Sequence, residues 1–170
     1  MSIDFFNESC KYSTRNKKFG LCDPISPDGN TENPAYIDNE NGETWIATVL
    51  NDYEDEIYFY AIDNCVNFNT QIQVRKCDGV LILKDKIAFV ELKSRTGKAS
   101  KWISHAESQL ITTIEYFSQE IDTADYTDKR AYIANNRSPR SRISQAERMD
   151  RFYKTTGFVL FIEARINLYG

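Results

Sequence analysis

The chain has 170 residues, of which 41% are hydrophobic and 27% charged, and its formal net charge is −4. These values are ordinary for one soluble globular domain with a sizeable core, and the overall charge gives no sign of nucleic-acid binding. No apolar run approaches the roughly 18 residues of a membrane span, and the N-terminus lacks the apolar core of a signal peptide.

The cysteines give no metal-binding pattern. Cys10, Cys22, Cys65 and Cys77 form no CxxC pair and have no adjacent His. We therefore expect no zinc site, and we predict four reduced thiols that pack as small hydrophobes. Reduced thiols and the lack of a signal peptide favour a cytoplasmic protein.

The N-terminal quarter of the chain carries few signs of regular structure. Residues 1–22 fit either a short helix or an arm, and residues 23–44 are dense in Pro, Gly, Asn and Asp, as in a loop. This loop is either a surface connection or a lid over the site. We assign 1–44 to an N-terminal extension and loop, and 45–170 to the core of a single domain, 1–170.

A series of strands follows, with short turns between most of them. The predicted strands are Trp45–Leu50, Ile57–Ile62, Gly79–Leu83 and Ile87–Val90, and Thr70–Val74 either leads into the third or extends it. Short connections favour an antiparallel meander.

The second half of the chain alternates helices and strands. Apolar residues recur every three or four positions from Ser100 to Ile121, which predicts an amphipathic helix. The elements predicted after it are a strand at Arg130–Ala134, a loop at Asn135–Arg142, a helix at Ile143–Tyr153 with Gly157 as its C-cap, and a long strand at Phe158–Leu168. The predicted class is α+β (mixed α/β): a central mixed sheet with a strand–hairpin–helix–strand core and helices packed on it.

Three charged residues lie at the open ends of the predicted hairpin, RKCDGVLILKDKIAFVELKSR. Asp78 precedes its first strand, and Glu91 and Lys93 end its second. Burying charges in a sheet is costly unless they are paired or bind a metal. The pattern therefore predicts a site.

The hairpin register decides whether these side chains meet. A two-residue turn at Lys84-Asp85 would pair Leu83 with Lys86 and, further out, Asp78 with Glu91. Cross-strand partners point to the same face, and a residue two positions along a strand shares that face. A slip of one residue would turn Asp78 to the other face.

Two carboxylates on neighbouring strands form a hard oxygen site that suits Mg²⁺ or Mn²⁺. Such a metal stabilises negative charge on a phosphoryl group, and a nearby lysine can orient the attacking water or neutralise the phosphate. This set favours phosphodiester hydrolysis over acyl transfer. His105 is the only histidine, and the chain has no G-x-S-x-G motif.

The spacing of these residues resembles the motif of the PD-(D/E)XK nuclease superfamily, which has a restriction-endonuclease-like fold. Asp78 is followed by twelve residues and then by Glu91-Leu92-Lys93, and the resemblance extends over roughly Gln71–Gln119. It implies that Asp78 and Glu91 are metal ligands, that the Leu92 carbonyl completes the shell and that Lys93 is the catalytic lysine.

The helix after the hairpin extends this resemblance. Gln109, in HAESQLITTIEYF, is similar to the helix glutamine that many members place beside the site. Cys77 stands where the superfamily has its Pro, and Thr113 stands where RecB-like members have Tyr. Members often add a third acidic residue, for which Asp63 and Glu56 are the candidates here.

A basic sector near the C-terminus is the predicted contact with nucleic acid. Residues 129–154 carry eight Lys or Arg against two Asp or Glu, and eight minus two gives a local charge of +6. This sector is either a solvated helix face or a phosphate track. In the second case Arg137, Arg140 and Arg142 would hold the backbone.

Together these features predict a Mg²⁺-dependent or Mn²⁺-dependent nuclease that acts on nucleic acid, with DNA as the favoured substrate, and has no membrane partner. By analogy with single-domain relatives, its partner would be a second copy or a component of a defence system. Two alternatives stay open: a binding or scaffold protein with a decayed site, and a different enzyme that uses an Asp/Glu metal pair.

Overall fold

The computed structural model describes residues 2–24, 33–137 and 144–170. Three short 3-10 turns, Glu8–Cys10, Gly42–Thr44 and Thr123–Asp125, accompany the main elements. In chain order the main elements are β1 (Lys11–Thr14), β2 (Lys18–Cys22), β3 (Tyr36–Asp38), β4 (Ala47–Leu50), β5 (Ile57–Ala61), β6 (Gly79–Leu83), β7 (Lys86–Lys93), α1 (Ala99–Glu120), β8 (Asp128–Asn135), α2 (Ala146–Thr156), β9 (Val159–Ile162) and β10 (Arg165–Asn167).

The larger of two sheets contains six of the described strands, in the order β1-β5-β6-β7-β8-β9. β5, β6 and β7 form an antiparallel meander, whereas β7, β8 and β9 run parallel. Since parallel neighbours need a crossover, α1 connects β7 to β8 across one face of the sheet. The predicted α+β class with a central mixed sheet is confirmed.

The predicted hairpin register is confirmed as well. Leu83 pairs with Lys86 and Gly79 pairs with Val90, so the next pair outward is Asp78 and Glu91. Lys84, in the turn, has a φ of 54°. A left-handed residue of this kind is what a tight hairpin turn requires.

A second sheet, in the order β10-β4-β2-β3, corrects two predictions. β4 belongs to this sheet and not to the meander. The predicted final strand Phe158–Leu168 is two short strands, because the chain leaves the large sheet after Ile162 and joins β4 from Arg165 onward. The Ala164 carbonyl, in the break, accepts a hydrogen bond from the Thr48 N–H at 2.8 Å.

Residues 1–44 supply strands to both sheets, so the boundary at residue 45 does not separate an extension from the core. β1 pairs with β5, and β2 pairs with β4 and β3. Both alternatives for residues 1–22, a helix or an arm, were wrong, because Lys11–Thr14 and Lys18–Cys22 form strands and Phe19 and Leu21 are buried in the core. Thr70–Val74 forms no strand; it is largely exposed, and β6 begins only at Gly79.

The two α-helices follow the predicted periods. α1 buries an apolar stripe, and the ring centroid of its Phe117 lies 5.1 Å from the ring centroid of Phe89 in β7. α2 ends at Gly157, whose φ of 78° and N–H bond to the Tyr153 carbonyl form the predicted C-cap. Its predicted start, Ile143, lies outside the described residues. Neither helix is long and apolar enough to cross a membrane, within the described chain.

The cysteine prediction was wrong for two of the four residues. Cys10 and Cys65 form a disulfide, which ties the N-terminal segment to the turn after β5. Cys22 and Cys77 are free and buried, as predicted. The thiol pattern therefore no longer supports a reducing compartment.

Candidate active site

The structure brings four of the predicted site residues together at one end of the large sheet. Asp78 lies immediately before β6, and Glu91 and Lys93 lie at the end of β7. Gln109 reaches them from α1, through a hydrogen bond to Lys93. The alternation of strand side chains and the hairpin register explain this convergence.

Asp78 is buried and is held by the backbone of the neighbouring strand. Its Oδ2 accepts a hydrogen bond from the Leu92 N–H at 2.6 Å. Burial, and then the charge of Glu91, raise the pKa of Asp78 well above its usual range. Because N–H and C=O of one residue in an extended strand point to the same side, the Leu92 carbonyl also faces the Asp78 side.

Glu91 is only 2% exposed, and its two carboxylate oxygens have different surroundings. Oε1 lies 2.8 Å from the Lys93 ammonium, whereas Oε2 is buried and receives no hydrogen bond from a donor group among the described residues. The Asp78 carboxyl lies within hydrogen-bonding reach of Glu91, so the two acids can share a proton. Burial raises the pKa of Glu91 to about 7, although the charge of Lys93 acts in the opposite direction. An unpaired buried carboxylate oxygen is costly, and a bound cation would relieve that cost.

Lys93 is held from two sides. Its ammonium donates to the Gln109 Oε1 at 2.8 Å in addition to its contact with Glu91. Gln109 is itself fixed, because its amide donates to the Lys76 carbonyl at 3.1 Å. The glutamine therefore sets the position of the lysine and links α1 to the segment before β6.

Thr113 supports the same segment from α1. Its buried hydroxyl accepts the Cys77 N–H at 2.8 Å and donates to the Gln109 carbonyl at 2.8 Å. One hydroxyl thus anchors the residue directly before Asp78. Thr113 therefore has a structural role in this chain.

Two further carboxylates lie near Asp78 and Glu91. Asp63 follows β5 and Asp23 follows β2, and both are half-buried. Burial, and then the charge of Asp63, raise the pKa of Asp23 to about 6. Burial also raises the pKa of Asp63, against the charge of Lys76. The charge of Asp23 helps to raise the pKa of Asp78, and the charge of Asp63 helps to raise the pKa of Glu91. Negative charge is therefore concentrated at this end of the sheet.

Glu56, the other candidate for a third acid, lies elsewhere. It precedes β5, whereas Asp63 follows the opposite end of that strand. Its carboxylate is 3.4 Å from Arg15, in an exposed ion pair. The structure therefore brings Asp63, and not Glu56, toward the predicted site.

The residues fit a divalent cation in their chemistry. Two carboxylates and a carbonyl oxygen are the donors that Mg²⁺ and Mn²⁺ prefer, and Glu91 Oε2 receives no hydrogen bond from a described donor. Within the described ranges, no three Asp, Glu, His or Cys side chains lie close enough together to hold a metal ion. The donor set is therefore two carboxylates and the Leu92 carbonyl.

A cleft of about 560 Å³ opens beside Lys93, between the β7–α1 connection and the end of β8. Arg137, which the sequence predicts to contact nucleic acid, is one of the residues that line it. The residues lining the cleft are Lys93, Ser94, Arg95, Thr96, Gly97, Lys98, Lys101, Trp102, His105 and Arg137. All of them belong to the described chain, and none is acidic.

The other described basic residues of the predicted phosphate track are not among those that line this cleft. Arg140 and Arg142 lie outside the described residues. Arg148 is paired with Glu107, and Lys154 lies 2.8 Å from Asp150. Of the described cations in this sector, Arg137 is the one that lines the cleft beside Lys93.

No protein-family model, curated protein or solved structure matches the chain.

Sequence reasoning missed Asp23 and three cations of the cleft, Arg95, Lys98 and Lys101. Asp23 stands before a Pro in a turn-rich stretch, which favoured a loop. A usable signal was present: like Asp63, it follows directly after a short apolar run. The three cations follow the motif lysine at short intervals, but spacing alone could not separate a cleft wall from a solvated turn.

Proposed function

We propose that the chain is a metal-dependent nuclease of the PD-(D/E)XK type, which hydrolyses phosphodiester bonds in nucleic acid, with DNA as the favoured substrate. The observation that carries the proposal is the buried Glu91 Oε2. It receives no hydrogen bond from a donor among the described residues, and its carboxyl group lies next to Asp78 and Lys93. Two buried carboxyl groups in contact are stabilised by a proton or a cation between them.

Each residue of the site has a role in this proposal. Asp78, Glu91 and the Leu92 carbonyl bind Mg²⁺ or Mn²⁺. When bound, the cation supplies Lewis-acid stabilisation of the phosphoryl group and lowers the pKa of a coordinated water. Lys93 neutralises the developing charge on the phosphate, and Gln109 keeps the lysine in place.

The test is cleavage of plasmid and oligonucleotide substrates with Mg²⁺ or Mn²⁺. We expect Glu91→Gln and Lys93→Met each to lower the cleavage rate by about 100-fold or more, because each removes a charge that acts in the transition state. Both replacements are close in size to the native side chains, so folding should be retained. Urea unfolding of each variant checks that it is.

Matched controls remove the same charges elsewhere. Glu115→Gln changes an exposed glutamate on α1, and Lys17→Met changes an exposed lysine before β2, at the end opposite Asp23. Both should cleave at the wild-type rate. Cleavage at the wild-type rate by both Glu91→Gln and Lys93→Met would contradict the mechanism.

A binding or scaffold protein on the same fold is the second candidate. It is favoured by the lack of a three-ligand metal group in the described chain, and by the ion pair that already occupies Glu91 Oε1. The same assay separates the two. A wild-type protein that binds nucleic acid but leaves it intact at every Mg²⁺ and Mn²⁺ concentration would support the binding protein.

A cytoplasmic location stays a proposal, and the Cys10–Cys65 disulfide gives a way to test it. Disulfides persist in oxidising compartments and are rare in the cytosol. Thiol alkylation of protein taken directly from intact cells measures the state of this pair. A reduced pair supports the cytoplasm, and an oxidised pair argues for an oxidising compartment.

A further inference from the structure

The cleft beside Lys93 is lined by several cations and by no acidic residue of the described chain. Arg95, Lys98, Lys101 and Arg137 all line it, and all four residues are exposed. The protein as a whole is acidic, with a net charge of −4. Four cations in one cleft of an acidic protein therefore indicate a local anion-binding surface.

The charges of these four residues are not neutralised by described neighbours. None of the four is in an ion pair with another described residue, whereas some other cations of the chain are paired. Arg130, for example, lies 2.8 Å from Asp128, and Arg148 contacts Glu107. Unpaired cations keep their full charge for a ligand.

A buried side chain holds the two arginines of the cleft next to each other. Asn135 is 1% exposed, and its Oδ1 accepts two hydrogen bonds: one from the backbone N–H of Arg95 at 3.2 Å and one from the backbone N–H of Arg137 at 3.1 Å. Its amide group donates back to the Arg95 carbonyl at 2.9 Å. Asn135 therefore joins the end of β8 to the segment after β7 and fixes the backbones of the two arginines relative to each other.

The cleft is continuous with the catalytic residues. Lys93 lines the cleft, and its ammonium lies 2.8 Å from Glu91. A chain of phosphates in the cleft would therefore continue directly into the site that we propose for cleavage.

The cleft offers mainly charge to a ligand. Its only described Trp, Tyr or Phe, Trp102, is 6% exposed and packs in the core, which leaves the His105 imidazole as its one exposed ring. Platforms on which successive bases stack use several exposed aromatic rings. We propose that Arg95, Lys98, Lys101 and Arg137 bind the phosphate backbone of the polynucleotide on one side of the scissile bond, independently of base sequence. The identity of the ligand rests on the proposed function.

The test measures binding of labelled DNA duplexes of several base sequences by fluorescence anisotropy, in EDTA, at a series of salt concentrations. Each phosphate contact on a duplex adds about 0.9 to the steepness of log affinity against log salt. We expect the double variant with Lys98→Ala and Lys101→Ala to lower that slope by about 1.8. Between about 50 mM and about 200 mM salt, the wild type should then lose about 12-fold more affinity than the variant.

The matched control carries Lys17→Ala and Lys18→Ala, two exposed lysines at the start of β2. Its slope should equal that of the wild type. Arg95→Ala alone should lower the slope by about 0.9, equally for every base sequence. An unchanged slope in the cleft variants, or a loss that depends on base sequence, would overturn the inference.

Because EDTA prevents cleavage, the two proposals can fail separately. Wild-type protein that binds with the expected slopes but never cleaves would overturn the nuclease and leave the cleft assignment standing. If the wild type cleaves but the cleft variants bind DNA with the wild-type salt slope, the cleft assignment alone would be overturned.

Discussion

Glu91 is deeply buried and one of its oxygens, Oε2, receives no hydrogen bond from a described donor, so its protonation state depends on the fold. Its pKa of about 7 lies above the ordinary glutamate value of 4.5, chiefly because of burial. Between those two pH values the folded protein holds a proton that the unfolded chain has released. The contribution of Glu91 to the free energy of unfolding therefore falls as pH rises from about 4.5 to about 7.

We expect Glu91→Gln to remove this fall in the metal-free protein, since the amide does not titrate. The difference between variant and wild type should grow by on the order of 3 kcal/mol from about pH 4.5 to about pH 8. Urea unfolding in EDTA at both pH values measures it, with Glu115→Gln as the control. The same pH dependence in the wild type and in Glu91→Gln would show that burial does not raise the pKa of Glu91.

At the scale of single residues, the sequence was informative where a charge interrupted an apolar pattern. Asp78, Glu91 and Lys93 could be predicted because charged residues at the ends of apolar strands are costly. Asp23 was missed because its turn-rich neighbours outweighed the short apolar run before it, and because its position depends on a second sheet that no local pattern indicates. The unpaired Glu91 oxygen is likewise a tertiary property.

Among the elements, the β5–β6 pairing depends on the small size of one residue. A Cβ atom at Gly79 would lie 2.3 and 2.4 Å from ring atoms of Phe59 and 2.8 Å from the Tyr60 carbonyl oxygen. Gly79 is the first residue of β6, directly after Asp78. Any larger residue must displace strand β5 or the hairpin that positions the site.

We expect Gly79→Ala to lower the free energy of unfolding by about 1–3 kcal/mol, which is the usual cost of overpacking. Gly42→Ala is the control, because no atom lies within 4 Å of a Cβ at that position. Chemical denaturation of the two variants gives the comparison. Equal free energies of unfolding for the two variants would show that β5 and β6 can accommodate a Cβ atom at Gly79 without cost, which would contradict the close packing at this residue.

Elements with strong local signals were predicted well, and those that depend on distant partners were not. The hairpin and α1 follow period-two and period-3.6 patterns, so their register and faces could be read from the sequence. β1, β2 and β3 are short, and their pairing with β4 and β5 decides their structure. The final strand was predicted as one element because nothing local marks the change of sheet at residues 163–164.

The whole molecule is held together partly by the Cys10–Cys65 disulfide, whose two residues are 55 positions apart. Cross-linking a loop of this length removes conformational entropy from the unfolded chain, by about 4 kcal/mol in the chain-entropy model. The bond also fixes the turn that carries Asp63. Global stability and the surroundings of the site are therefore both coupled to the state of this pair.

We expect a reducing agent to lower the free energy of unfolding of the wild type by about 4 kcal/mol. A variant with Cys10→Ser and Cys65→Ser should have the lower value from the start and should not respond to the reducing agent. Equilibrium unfolding with and without dithiothreitol provides the measurement. A wild type that is equally stable in both conditions would show that the bond does not constrain the unfolded chain.

The sharing of one divalent cation by Asp78 and Glu91 is the condition on which the proposed chemistry depends. Calorimetric titration of Mn²⁺ into the wild type, Glu91→Gln and the control Glu115→Gln tests it directly. We predict saturable binding by the wild type and by Glu115→Gln, and loss of that binding in Glu91→Gln. Binding by Glu91→Gln with the affinity of the wild type would contradict the metal site.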